Sequence, residues 1–103
     1  MKIFLAVLAA TGTLYTEAVT AQILRDASDA RLLASGCFQC HGTNGLKGGF
    51  GTLAGVEKKD MLDKLKDMSS KPARANIMYP HAQGYTPYEL NLIAEYFSRL
   101  PKP

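Results

Sequence analysis

The chain has 103 residues, with 12 Lys and Arg against 9 Asp and Glu for a formal net charge of +3, enough for one small domain. So little excess charge, with lysines interleaved among aspartates and no nucleic-acid motif, argues against an RNA- or DNA-binding protein. A domain of this size buries too little surface to be comfortably stable without a disulfide, a metal or a bound cofactor, and Cys37 and Cys40 are the only thiols.

At the amino end, Lys2 precedes an apolar run from Ile3 to Ala10, and Val19, Thr20 and Ala21 offer a small-residue cleavage site before Gln22, the pattern of a secretory signal peptide. The run is far shorter than the roughly 20 residues a membrane-spanning helix needs, and Glu17 stands where a longer span would have to continue. The expected organisation is a cleaved signal peptide over 1–21 and one domain over 22–103, with no membrane span after cleavage. The domain would work in an exported, oxidising compartment, in a bacterium the periplasm.

A short helix is expected to start near Ser28 and Asp29 and to run through Ala30, Leu32, Leu33 and Ala34 until Gly36 breaks it. The next five residues, Cys37-Phe38-Gln39-Cys40-His41, have the C-x-x-C-H spacing at which two thiols bond covalently to haem vinyl groups while the adjacent imidazole reaches the iron. A zinc site drawing on Cys37, Cys40, His41 and His81 is the first competitor. Tetrahedral sites usually add a second ligand pair three to five residues apart, whereas here Cys40 and His41 are neighbours and His81 stands alone. A redox dithiol needs a strand ahead of it in a βαβ unit, and the pattern before Cys37 is helical. The motif therefore reads as one covalent haem c on Cys37 and Cys40, with His41 as an axial iron ligand.

Residues 42–55 carry six of the nine glycines and read as a loop with little side-chain bulk, able to lie against a flat ligand. A phosphate-cradling G-x-x-x-x-G-K-[ST] run is absent. From Glu57 to Met68, Met61, Leu62, Leu65 and Met68 recur at helical spacing opposite a charged face, where Lys59 with Asp63 and Asp60 with Lys64 stand four apart. The third helix is announced by Thr86-Pro87-Tyr88-Glu89: an N-cap, a proline at the first helical position and a capping-box glutamate. Leu90, Ile93, Ala94, Phe97 and Leu100 form its apolar stripe, Tyr96 lies beside it, and Pro101 ends it. No segment reads as a strand.

The second axial ligand is sought among Met61, Met68, Met78 and His81. Met61 and Met68 fall on an apolar helix stripe, where methionine commonly fills core gaps. Met78 is expected in a loop ahead of the last helix and is the favoured ligand; His81 is expected as a surface loop histidine. Histidine with methionine raises the reduction potential relative to two histidines. With both axial positions filled by protein, the remaining chemistry is outer-sphere one-electron transfer, so the chain is expected to relay electrons and to have no catalytic residue of its own.

Three helices, a haem motif after the first, a glycine loop and a late methionine resemble the class I cytochrome c family over nearly all of residues 28–100. The resemblance implies a small all-α fold of three main helices enclosing the haem, with the N- and C-terminal helices crossing. A cytochrome c prime bundle would instead carry its motif near the C-terminus. Leu53-Ala54-Gly55, Met61 to Asp67, Ala75-Asn76-Ile77-Met78 and Gly84-Tyr85-Thr86 leading into Leu92 to Phe97 are similar to the cytochrome subunit of flavocytochrome c sulfide dehydrogenase. That likeness implies a heterodimer in which a separate flavoprotein subunit oxidises sulfide at its FAD and passes single electrons to the haem on this chain, which hands them to a soluble acceptor. Cys37, Cys40, His41 and Met78 match the haem-binding positions. Thr52, where relatives commonly carry proline, and Tyr79-Pro80-His81 depart from the pattern. The alternatives are an independent diffusible electron shuttle and a haem-based sensor or gas binder, the latter needing an axial ligand that leaves readily. Phe38, Gln39, Lys47 and Tyr79 are candidates for the rim of the exposed haem edge.

Overall fold

Alanines set how closely the two longest-range elements approach. The computed structural model describes the backbone of residues 2–46 and 49–103 and the side chains of 14–46 and 49–103. Helix α1 spans Lys2–Ala34, α2 Phe38–His41, α3 Lys58–Ser69, α4 Met78–Gln83 and α5 Pro87–Ser98. Among the described residues there is no strand, as the all-α expectation requires. Helix α1 packs most extensively against α5, with Ala30 and Ala34 on one side and Ala94 on the other all buried. Their lack of bulk lets Ile93 and Phe97, the two largest fully buried side chains, fill the seam, with Met61 of α3 closing the cluster. Burying side chains of this size is worth about 1.5–3 kcal/mol each.

The first helix is longer than its sequence suggested. No proline occurs before Pro72, and Ser28 and Asp29 sit inside a continuous helix rather than at its start. Among the described residues no helix is long and apolar enough to cross a membrane. Gly36 does not break the chain either: Ser35–Cys37 tightens into a 3₁₀ turn that runs straight into α2. The reason for glycine at position 36 is a close approach, because a methyl group there would lie 2.6 Å from the Tyr85 hydroxyl.

The later elements follow the local signals closely. In α5 the Thr86 hydroxyl accepts from the Glu89 amide at 3.2 Å while the Glu89 carboxylate accepts from the Thr86 amide at 2.8 Å, completing the capping box. Leu90, Ile93, Ala94 and Phe97 are buried as expected, Leu92 is buried as well, and Leu100 is half-buried. On α3, Lys59 pairs with Asp63 at 2.7 Å. Lys58 reaches across to Glu95 on α5 at 3.6 Å, whereas no Asp60–Lys64 pair forms among the described residues. Such exposed pairs contribute at most about 1 kcal/mol each.

The glycine loop is stitched onto α5. The Gly45 carbonyl accepts from the amides of Leu53 and Ala54 at 2.8 and 3.2 Å, and the Gly55 amide donates to the Phe97 carbonyl at 2.9 Å. Gly45 has φ +67, and a Cβ there would stand 2.7 Å from Leu53 Cβ and 2.9 Å from Phe97 Cε1, so both the backbone conformation and the packing call for glycine.

Candidate functional site

Cys37, Cys40 and His41 lie on one continuous helical turn, where residues three and four apart share a face. Cys37 is buried and Cys40 exposed, and both thiols are free. Burial pushes the Cys37 thiol up to about 11. A redox-active dithiol needs the reverse, a depressed thiol at an electropositive position, so the thioredoxin-like reading has no support here. Among the described residues no three His, Cys, Asp or Glu side chains converge on one point, which removes the zinc arrangement of Cys37, Cys40, His41 and His81.

His41 is 8% exposed, and its Nδ1 donates to the Gly51 carbonyl at 2.9 Å. With Nδ1 as the protonated nitrogen, Nε2 keeps its lone pair for a metal, and a carbonyl partner of this kind both orients the ring and raises its basicity. Gly51 sits at φ +102, and Phe50 beside it sets its ring edge-on to the imidazole at 6.4 Å. A second tie holds the same loop: Asn44, at φ 58, accepts from the Tyr96 hydroxyl at 2.5 Å. The turn that carries His41 is thus fastened to both the glycine loop and α5.

Met78 is the first residue of α4 and half-buried, not in a loop. Helix α4 packs along α3. Its amino end is held by the Asn76 side chain, which accepts from the Met78 amide at 2.9 Å, and its carboxyl end by Gln83, which donates to the Lys71 carbonyl at 2.6 Å. His81 also lies on this helix, half-buried, rather than in a surface loop. Its ring packs edge-on against Tyr85 at 5.6 Å, and both side chains border Gly36. Of the residues considered for the rim, Gln39 is exposed and Tyr79 half-buried. Phe38 turns inward, edge-on to Phe97 and tilted against Tyr96, and Lys47 lies outside the described residues.

The donor set fits a haem. Two free thiols three residues apart suit its two vinyl attachments, and an imidazole with one ring nitrogen already committed suits its iron. Large apolar side chains stand in water next to both candidate ligands: Phe50, 71% exposed, against His41, and Ile77, 79% exposed, before Met78. Exposed side chains of this kind are where an apolar ligand gains most from contact. The Gly51 carbonyl, the Asn44–Tyr96 bond and the Tyr85 contact had no sequence signal beyond the glycine content of the loop, since each joins residues distant along the chain.

A family description, Cytochrome c, matches residues 29–99. The chain is 34% identical over 76 residues to a protein of Chlorobaculum tepidum named cytochrome subunit of sulfide dehydrogenase, an alignment covering 73% of this chain and 69% of that protein. No solved structure matches.

Proposed function

The chain belongs to the cytochrome c family, and from that premise we propose that it is the haem subunit of a periplasmic sulfide dehydrogenase, taking single electrons from an FAD-containing partner and passing them to a soluble acceptor. Covalently bound haem c supplies the one-electron chemistry, and the chain itself is an electron-transfer protein, not a catalyst. In this reading Cys37 and Cys40 would hold the haem through thioethers, and His41 and Met78 would ligate its iron.

The observation that carries the haem assignment is the His41–Gly51 hydrogen bond at 2.9 Å, which fixes the tautomer and aims the free ring nitrogen away from the loop. The likeness to the Chlorobaculum tepidum subunit supports the partner. With the iron ligated by His41 and Met78, small molecules would lack direct access to it, so sulfide oxidation would fall to the partner and no residue of this chain would bind sulfide. Cys40 and Gln39, both exposed, would lie on the side where the partner approaches.

Size-exclusion chromatography of the protein from its own host, followed by haem and flavin absorbance, tests the partnership. The expected result is coelution of the two chromophores, with haem reduction when sulfide is added to that peak. A flavin-free haem peak the size of one small domain, not reduced by sulfide at a catalytic rate, would assign the chain to the independent shuttles instead.

A further inference from the structure

His81 and Met78 are three residues apart on α4 and so share a face of it. The position of the imidazole is marked by Gly36: a methyl group there would lie 3.8 Å from His81 Cε1, and Gly36 is bonded to Cys37. The ring therefore stands beside the first attachment cysteine, flanked by Tyr85 at 5.6 Å and 81°. His81 is also the only imidazole of the chain besides His41.

The two ends of α4 are held unequally. Ala82, at 1% exposure, is its only buried residue and pins the helix next to His81. At the other end, every residue from Lys71 to Ile77 is exposed. Apart from the exposed bond of the Gln83 side chain to the Lys71 carbonyl at the start of that segment, the ties there are local: the Asn76 side chain to the Met78 amide, and the Asn76 carbonyl to the Tyr79 amide at 3.0 Å. Few buried contacts and exposed backbone bonds mark a segment that opens at low free-energy cost. Met78 thus stands on the loosely held end of the helix and His81 close to its anchored part.

We propose that His81 is a reserve axial ligand, whose imidazole takes the iron position of the Met78 thioether when that sulfur leaves. The inference rests on the reading of Met78 as the resident ligand. The exchange breaks one sulfur–iron bond and forms one nitrogen–iron bond, using the lone pair of a neutral His81 ring nitrogen. It moves no electron, and releases a proton only where the imidazole begins protonated. Because methionine ligation raises the potential relative to a second histidine, linkage makes the exchange easier in the oxidised protein than in the reduced one.

The test uses the haem-loaded protein in four forms: native, Met78→Ala, His81→Ala and the double variant. Ferric Met78→Ala is expected to lose the sulfur-to-iron absorption band yet remain low-spin with the electron paramagnetic resonance signature of two imidazoles. The double variant is expected to turn high-spin and to bind added imidazole, and His81→Ala alone to keep the sulfur band. High-spin iron in Met78→Ala, indistinguishable from the double variant, would overturn the proposal while leaving Met78 as ligand. A native protein without the sulfur band, or a Met78→Ala spectrum unchanged from native, would instead overturn the Met78 reading and the proposal with it.

Should Met78→Ala fail to fold, urea below the unfolding transition serves on ferric native protein and His81→Ala. Where the sulfur band fades while far-ultraviolet circular dichroism stays native, the native protein is expected to show nitrogen-ligated low-spin iron and His81→Ala high-spin iron. The same product in both would overturn the proposal.

Discussion

The Nδ1 of His41 lies 2.9 Å from the carbonyl oxygen of Gly51, ten residues along the chain and on a backbone with φ +102. The acceptor is a backbone carbonyl, so its position depends on the loop conformation that glycine permits. Nothing lies within 4 Å of where a Gly51 Cβ would stand. Gly51→Ala therefore acts through backbone strain of about 1–3 kcal/mol, and relief of that strain moves the carbonyl away from the ring. The hydrogen bond pushes electron density onto the imidazole and favours the oxidised iron. The variant is expected to have a higher midpoint potential and faster exchange of the Nδ1 proton, read by potentiometric titration and NMR. Unchanged values of both would show that the carbonyl is held by something other than this glycine.

Tyr96 and Asn44 form a second cross-chain tie, between α5 and the turn following the haem motif. Tyr96→Phe keeps the ring contacts with Phe38 and Phe97 and deletes only the hydroxyl, a part-buried hydrogen bond worth about 0.5–1.5 kcal/mol. Asn44→Gly loses the same bond but suits φ 58, so it is expected to cost less. Chemical denaturation of both variants and the double variant gives a coupling free energy near that of the bond. Additive losses would mean that the two groups do not interact in solution.

Local chemistry made some of this structure legible and left the rest hidden. The spacing of Cys37, Cys40 and His41, the α3 stripe and the Thr86–Glu89 box each lie within one or two helical turns, and each element appears within a residue or two of where its pattern puts it. Met78 read as a loop residue because it stands ahead of the Thr86 cap that opens the last helix. It opens α4 instead, and Pro80 is the third residue of that helix, within the first turn, where a missing amide proton costs nothing. The continuous α1 was obscured by capping-type residues at 28 and 29, which are neutral enough mid-helix when alanines surround them. Contacts such as Gly51 with His41, or Tyr85 with Gly36, depend on a carbonyl or on the absence of a side chain. Neither leaves a periodic trace in the sequence.

Phe97 joins three parts of the molecule. Its side chain is fully buried, its ring meets Phe38 of the haem motif edge-on at 6.3 Å, and its carbonyl accepts from the Gly55 amide. Phe97→Ala is expected to destabilise by about 3–5 kcal/mol, whereas Leu32→Ala, at a side chain 73% exposed, is expected to stay within about 0.5 kcal/mol of native. Urea denaturation followed by circular dichroism compares them directly. Comparable losses at the two positions would mean that the α1–α5 seam is packed differently from the arrangement described.

The fate of residues 1–21 follows from where α1 makes its contacts. From residue 14 to residue 29 every side chain is exposed except Asp26, which is half-buried and accepts from the Tyr88 hydroxyl at 2.9 Å; Ala30 is the first buried one. Leu14, Tyr15 and Val19 are 67, 74 and 43% exposed, an apolar row on the surface that a mature exported protein would be better without. Cleavage before Gln22 would remove that row and no described buried side chain, while keeping Asp26 and Ala30 against α5. The exported protein is therefore expected to begin at Gln22 by mass spectrometry, and its thermal unfolding to coincide with that of the uncleaved chain. Asp26→Ala, by contrast, is expected to lower stability slightly in both forms. An exported product that retains residues 1–21 would overturn the signal-peptide assignment and leave those residues as a permanent amino-terminal extension of α1.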